Sequence, residues 1–110
     1  MIIDFKTLPF EEIPNFKGGD GVFRVQMYWD GTTRIMHGIL APGSSFGLHK
    51  HEGNCEMLFM VSGQGTLLED GKHTILSAGQ CTYCPDGHEH SLINNGAEPL
   101  EFYAAVPKQG

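Results

Sequence analysis

Three of the histidines and one of the glutamates in two glycine-rich segments of the chain, residues 43–63 and 79–94, have the spacing of a metal site. These candidate metal ligands are His49, His51, Glu56 and His90. Imidazole nitrogen and carboxylate oxygen together suit a divalent transition metal such as Fe, Mn, Ni, Co, Cu or Zn, and they suit Ca and Mg less well. Four protein ligands leave up to two octahedral positions for water or substrate. The pattern therefore predicts one divalent metal ion that is accessible to a small molecule.

The strands expected around these residues explain how the ligands would meet. His49 and His51 are two positions apart, so on a β-strand both side chains leave the same face. Residues 52–54 have the composition of a turn, which places Glu56 on the neighbouring antiparallel strand, about 5 Å from the histidine pair. A second turn precedes His90 and sets its height on a further strand.

Short strand signals separated by turns recur along the rest of the chain. Residues 22–29 alternate between two faces, and Asp-Gly turns follow at 30–31 and 70–71. Eight or nine strands, with turns about every ten residues and no helical periodicity, predict an all-β antiparallel sandwich or barrel. Residues 1–20 are expected to form an N-terminal arm, with a short strand near Ile2–Phe5. Residues 21–110 are expected to form the barrel.

Composition excludes several classes of function. The chain has 110 residues and a net charge of −6, and its seven basic residues are scattered, which argues against nucleic acid as a partner. Its apolar runs are far shorter than the ~20 residues that span a bilayer, and no signal peptide is visible. Three cysteines are an odd number that favours reduced thiols in the cytoplasm. Cys81 and Cys84 would face opposite sides of a strand, which argues against a redox pair.

The two segments match both signature motifs of the cupin superfamily, and the strand pattern agrees over about residues 21–107. The chain therefore resembles a small, single-domain cupin of the bacterial type. The resemblance implies a double-stranded β-helix, or jelly-roll barrel, with a divalent metal held by His49, His51, Glu56 and His90. It also implies frequent dimerisation. Cupins include isomerases, lyases, dioxygenases and sensors, so the resemblance predicts the fold more narrowly than the function.

Further side chains are candidates for chemistry beside the metal. The candidate proton-transfer groups are Glu56, His88 and Tyr83. His88 lies two positions before His90, so it could reach the mouth of the pocket as an acid or base, or lie on the rim as a turn residue.

Five residues are expected to contact the substrate. Phe46 and Met60 would form an apolar wall. Strands could direct the polar side chains of Arg24, Gln26 and Tyr28 into the barrel. Arg24 and Arg34 could each anchor a substrate carboxylate, because the guanidinium fork matches two oxygens, or could each be solvated.

The predicted function is that of a metal-dependent isomerase or lyase acting on a small oxygenated molecule, such as a sugar or hydroxy-acid derivative. A metal-dependent dioxygenase and a non-catalytic binding or sensing protein are the alternatives. A homodimer is expected because an outward apolar set would otherwise be exposed. That set comprises Met57, Phe59 and Val61 with the arm residues Ile2, Ile3 and Phe5.

Overall fold

The computed structural model describes residues 1–109, and ten β-strands account for most of this part of the chain. In chain order they are β1 (Glu11–Pro14), β2 (Val22–Trp29), β3 (Thr33–Leu40), β4 (His49–Lys50), β5 (Glu56–Ser62), β6 (Gln64–Glu69), β7 (Lys72–Ser77), β8 (Cys81–Cys84), β9 (Glu89–Ile93) and β10 (Leu100–Pro107). Short 3-10 helices at Phe5–Thr7 and Phe16–Gly18 flank β1. Strand makes up 56% of the structure and helix 6%, which confirms the predicted all-β class. None of the helical segments within residues 1–109 is long and apolar enough to cross a membrane.

The strands form two antiparallel sheets. The larger sheet has the order β1-β2-β3-β10-β5-β8, and the smaller sheet has the order β4-β9-β6-β7. β10 lies between β3 and β5, and β9 lies between β4 and β6, so strands that are distant in sequence are neighbours in both sheets. This non-sequential pairing is typical of a jelly roll and confirms the predicted double-stranded β-helix. Gly110, the last residue of the predicted barrel, lies outside the described residues.

Aromatic side chains fill the space between the sheets. The Phe23 ring packs edge-on against Phe46, with centroids 4.7 Å apart, and its centroid lies 5.9 Å from that of Phe102. Gly38 of β3 makes room for these rings, because a Cβ there would lie 2.6 Å from Phe23 Cε1. Phe46 is thereby held against the larger sheet three residues before His49, the first candidate metal ligand.

The N-terminal arm packs with its first residues on the outer face of the larger sheet, and it reaches the interior with Phe16, which packs against Phe23 and Phe46. Its strand is β1, which pairs with β2, and not the predicted strand near Ile2–Phe5. That segment leads instead into the 3-10 helix at Phe5–Thr7, where the Asp4 carboxylate accepts a hydrogen bond from the Lys6 amide at 3.0 Å. An aspartate in this position satisfies a free amide at the helix start, which explains why the chain turns here.

A buried polar network beneath the arm holds it on the sheet. Gln26 of β2 donates from Nε2 to the carbonyl oxygens of Phe5 and Leu8. Gln26 Oε1 accepts from His37 Nδ1 at 2.7 Å, and His37 Nε2 lies 2.7 Å from Glu101 Oε2. We call Gln26, His37 and Glu101 the outer polar network. Every side-chain nitrogen and oxygen of Gln26 and His37 has a partner on the protein.

Candidate metal centre

The four candidate metal ligands come from three strands and the loop that follows one of them. His49 lies on β4 directly opposite His90 on β9. His51 follows β4, and Glu56 begins β5 after a turn through Gly53, whose φ of 78° favours glycine. The predicted antiparallel pairing of these two strands is wrong, because β4 and β5 lie in different sheets and Glu56 meets the histidines across the space between the sheets.

Backbone hydrogen bonds tie the loop of the first motif to the loop of the second. The His51 amide donates to the His88 carbonyl at 2.9 Å, and the Gly87 amide donates to the His51 carbonyl at 2.7 Å. The Gly53 amide donates to Asp86 Oδ1 at 2.9 Å. These contacts fix the height of His51 relative to the strand that carries His90.

One potential ligand atom from each of the four residues lies within 4.8 Å of the other three. His90 Nε2 is 2.9 Å from His51 Nε2, 3.1 Å from His49 Nε2 and 2.9 Å from Glu56 Oε1. His51 Nε2 is 3.3 Å from the same carboxylate oxygen. His51, Glu56 and His90 are buried, and His49 is partly exposed. We call these four residues the inner cluster.

In two imidazoles of the inner cluster, the hydrogen bond made by Nδ1 determines whether Nε2 directs a lone pair at the centre of the cluster. His49 Nδ1 donates to the Gly47 carbonyl at 2.8 Å, and His51 Nδ1 donates to Asn54 Oδ1 at 2.5 Å. A neutral imidazole that donates from Nδ1 presents a lone pair at Nε2. Lone pairs from both rings therefore converge with those of the Glu56 carboxylate, and they repel one another unless a cation or a proton lies among them. This donor set fits a divalent transition metal, and the second ring nitrogens are already held in the way that metal-binding histidines require.

The Glu56 carboxylate is buried yet ionised. Burial disfavours its charge, but where a proton and not a cation lies among these donors, hydrogen bonds from His51 and His90 outweigh burial and lower the pKa of Glu56 to about 2. Burial also lowers the pKa of His49, whereas the hydrogen bond to Glu56 raises the pKa of His51. The inner cluster thus combines one fixed negative charge with imidazoles, which suits a divalent cation.

A cavity of about 330 Å³ opens beside the inner cluster. His49, His51 and Glu56 form part of its wall. Its apolar wall residues are Phe16, Met27, Met36 and Val106. Its other ionisable wall residues are Lys17, Arg34, Lys50 and Glu52. The volume is at the lower end of the range for small-molecule sites, so one small ligand fits beside a metal here.

Comparison with known proteins agrees with this geometry. The family model of the cupin domain matches residues 36–106. The chain belongs to the cupin family. The oxalate-binding protein of Thermotoga maritima is 34% identical over an alignment of 114 positions that covers 96% of this chain and 93% of that protein. A crystal structure of a predicted oxalate decarboxylase, also from Thermotoga maritima, superposes with a TM-score of 0.91 at 32% identity, covering 98% of this cupin and 99% of that chain.

A different kind of relative shares only part of its length with this cupin. The mannose-1-phosphate guanylyltransferase of Klebsiella pneumoniae is 38% identical over 60 residues, which cover 54% of this chain and 13% of that enzyme. That similarity concerns one module of a much longer protein.

The polar candidates on β2 lie on the outer face of the cupin barrel and do not point into it, contrary to expectation. The Arg24 guanidinium stacks 4.1 Å above the centre of the Phe10 ring in the arm. Gln26 belongs to the outer polar network, and Tyr28 donates to Asp30 Oδ2 at 3.2 Å. On the alternate face of β2, Phe23 and Val25 are apolar and buried, so their burial turns the polar face outward.

Four other predicted site residues also lie away from the cavity wall. Phe46 and Met60 are buried in the core. Tyr83 is 56% exposed on the outer face of the larger sheet. His88 lies on the rim, where its Nδ1 is 2.8 Å from the carboxylate of Asp70, in an exposed pair.

The cavity instead contains residues that the sequence did not assign to it. Arg34, which the sequence left open between a carboxylate anchor and a solvated position, lines the wall. Strand alternation in the sequence could have predicted this position, because Arg34 is two positions before the buried Met36 on β3 and shares its face. Phe16 and Lys17 come from the arm, whose irregular backbone has no strand alternation from which their direction could be predicted.

Proposed function

We propose that this cupin binds a divalent transition metal through His49, His51, Glu56 and His90, and uses it to bind a small carboxylic acid that has two adjacent oxygen donors. The observation that carries the proposal is the convergence of imidazole and carboxylate lone pairs at the wall of a cavity. The name of the oxalate-binding relative, which is 34% identical, supports the same class of ligand.

In the inner cluster, the carboxylate would supply negative charge, and hydrogen bonds from neighbouring residues would orient the histidine rings. Glu56 supplies the negative charge, and its strand position is fixed by pairing with β8. Asn54 and the Gly47 carbonyl hold the rings of His51 and His49 in place. When bound, a divalent metal would act as a Lewis acid toward the oxygens of the ligand.

The proposal is tested with metal analysis and calorimetry. Protein purified without chelator is analysed for metal by mass spectrometry, then titrated with oxalate before and after removal of metal. We expect about one divalent ion per chain and oxalate binding that disappears with the metal and returns on adding Mn(II). Oxalate binding that is equally strong in metal-free protein contradicts the proposal.

Turnover of the bound acid, as an isomerase or lyase, is a second candidate function. Lys17 and Glu52 support it, because both are ionisable and line the cavity. His88 and Tyr83 support it less well, because neither lines the cavity. A screen of the metal-loaded protein with oxalate and hydroxy acids, with and without oxygen, separates the classes. Activity that persists without oxygen supports a lyase or isomerase, and activity that requires oxygen supports a dioxygenase.

We also propose that the protein forms a homodimer through the outer face of the larger sheet. Phe59 is 50% exposed and Val61 is 47% exposed on that face, and Ile2 of the arm is 92% exposed. Analytical ultracentrifugation of a Phe59→Glu variant at micromolar concentration tests this, with Ile75→Glu on the smaller sheet as the control. A monomeric wild-type protein contradicts it.

A cytoplasmic location is proposed for the same protein. Cys55, Cys81 and Cys84 are free thiols in the structure, which suits a reducing compartment. The net charge of −6 supports a small molecule, and not nucleic acid, as the partner.

A further inference from the structure

The cavity beside the inner cluster contains positive charge that the cluster does not use. Lys17, Arg34 and Lys50 all line its wall. The carboxylate of Glu52 also lines it, but lies 3.5 Å from Lys50 Nζ. Neither Lys17 nor Arg34 forms an ion pair with another residue in the described part of the chain. The cavity therefore favours an anionic ligand group in addition to the group that meets the metal.

Arg34 is held in position but is not satisfied. Its guanidinium lies 4.7 Å from the centre of the Trp29 ring, a cation–π contact that orients the fork. Its Nε atom is buried and has no hydrogen-bond partner within residues 1–109. A buried N–H donor without an acceptor is costly, and a carboxylate offers two oxygens that match the guanidinium fork.

A second cavity shows the direction in which a ligand could extend from the inner cluster. It has a volume of about 180 Å³ and shares Arg34, Asn54 and Val106 with the first cavity. Lys108 also lines this second cavity. Arg34 thus lies at the boundary between the two cavities, where a ligand as short as oxalate, bound at the cluster, would leave most of the space unfilled.

We propose that Arg34 binds the distal carboxylate of a dicarboxylic acid longer than oxalate. The head of this acid would meet the metal, its short aliphatic segment would lie against Met27, Met36 and Val106, and its far carboxylate would accept hydrogen bonds from Arg34. This inference rests on the proposed function, because the head group requires the metal. It adds Arg34 as a residue that determines specificity, and it adds longer dicarboxylic acids as the substrate class.

The test compares acids that differ only at the distal end. Malate and α-hydroxybutyrate have the same α-hydroxy acid head and the same chain length, but only malate has the second carboxylate. The pair α-hydroxyglutarate and α-hydroxyvalerate repeats the comparison with one more carbon. Each acid is titrated into Mn(II)-loaded wild-type protein and into Arg34→Gln, Arg34→Lys and Arg24→Gln. Arg24 is the matched control, because it lies on the outer face and stacks on Phe10.

We expect the wild-type protein to bind the dicarboxylate of at least one pair about tenfold more tightly than its monocarboxylate partner, as a charged hydrogen bond predicts. Arg34→Gln is expected to bring this ratio close to one, because the dicarboxylate loses more affinity than the monocarboxylate, while the metal content stays unchanged. Arg34→Lys should retain part of the preference, and Arg24→Gln should retain all of it.

Two other outcomes overturn the inference in distinguishable ways. Equal affinity of the wild-type protein for both members of each pair, or an Arg34→Gln effect that is the same for both members, rejects the distal site; oxalate binding that still depends on metal then leaves the proposed function intact. If no acid, including oxalate, binds in a metal-dependent way, both proposals fail.

Discussion

Two histidine–carboxylate clusters lie on opposite sides of the larger sheet, and they use their polar atoms differently. In the outer polar network, His37 lies between Gln26 Oε1 and Glu101 Oε2, each at 2.7 Å, and the Gln26 amide nitrogen donates to the arm. In the inner cluster, His90 Nε2 faces a second imidazole nitrogen at 2.9 Å as well as the Glu56 carboxylate at 2.9 Å.

The difference separates a structural network from a ligand site. The outer network pairs every side-chain nitrogen and oxygen of Gln26 and His37 within the protein, so it stabilises the arm without a ligand. The inner cluster directs acceptors at a shared point, so it needs a cation or a proton there to reach the same state of satisfaction. Residue types alone do not distinguish the two clusters, because each contains histidine and glutamate.

The largest expected effect comes from removing one member of the inner cluster. His51→Ala should lower bound metal at least about tenfold, because a ligand is lost and the remaining donors no longer close the site. His37→Ala is the matched control in the outer network and should retain the metal. Metal analysis and circular dichroism of both variants measure this. Equal metal loss in the two variants would show that the comparison between the clusters is wrong.

The second largest effect is expected from acid, which should release the metal from the inner cluster. Ligand imidazoles must be neutral, so their protonation below about pH 6 should release the metal. The pKa of Glu56, lowered to about 2, keeps the carboxylate ionised through this range, so the loss should follow the imidazoles. Metal retained after dialysis at stepwise lower pH gives the midpoint. A midpoint near the pKa of Glu56 would instead assign the release to the carboxylate.

A smaller effect is expected from the outer polar network, and it concerns stability only. Gln26→Ala leaves the carbonyl oxygens of Phe5 and Leu8 and one nitrogen of His37 without their partner, which should lower the free energy of unfolding by about 1–3 kcal/mol. Urea unfolding measures this, and faster hydrogen exchange in the arm should accompany it at unchanged metal content. Gln64→Ala is the control, because the Gln64 side chain is exposed and bonds weakly to Ser77 at 3.3 Å.

The smallest effect is expected at the rim. His88→Ala removes an exposed pair with Asp70, and exposed pairs contribute little to stability. Metal content, oxalate affinity and the free energy of unfolding should all stay close to those of the wild-type protein. A large loss of oxalate affinity would bring His88 into the functional site, as the sequence allowed.

Much of the fold could be predicted from short-range patterns, whereas the inner cluster also needed the match to the two sequence motifs, because β4 and β5 lie in different sheets. Strand alternation and Asp-Gly turns depend on neighbouring residues, and the spacing of His49 and His51 places both on one face. Glu56 and His90 followed from the match to two sequence motifs. Strand alternation, turn residues and motif spacing are the same in any fold that pairs the strands in this way.

The direction of the β2 polar face could not be predicted in the same way. The alternation of β2 divides its residues correctly into two faces, but an amphipathic strand can bury either face if another element covers it. Gln26 is covered by the arm, whose path depends on the turn at Phe5–Thr7. Lys17 likewise reaches the cavity from an irregular segment. Long-range packing of an arm is not encoded in local periodicity.

The contact between Trp29 and Arg34 gives this protein an intrinsic optical reporter. Trp29 is the one tryptophan in the chain, and its indole lies 4.7 Å from the guanidinium proposed to meet the distal carboxylate. Neutralising or displacing that cation changes the electric field at the indole, so its emission should respond when an acid occupies the cavity. Ligand libraries can then be screened by fluorescence without any label.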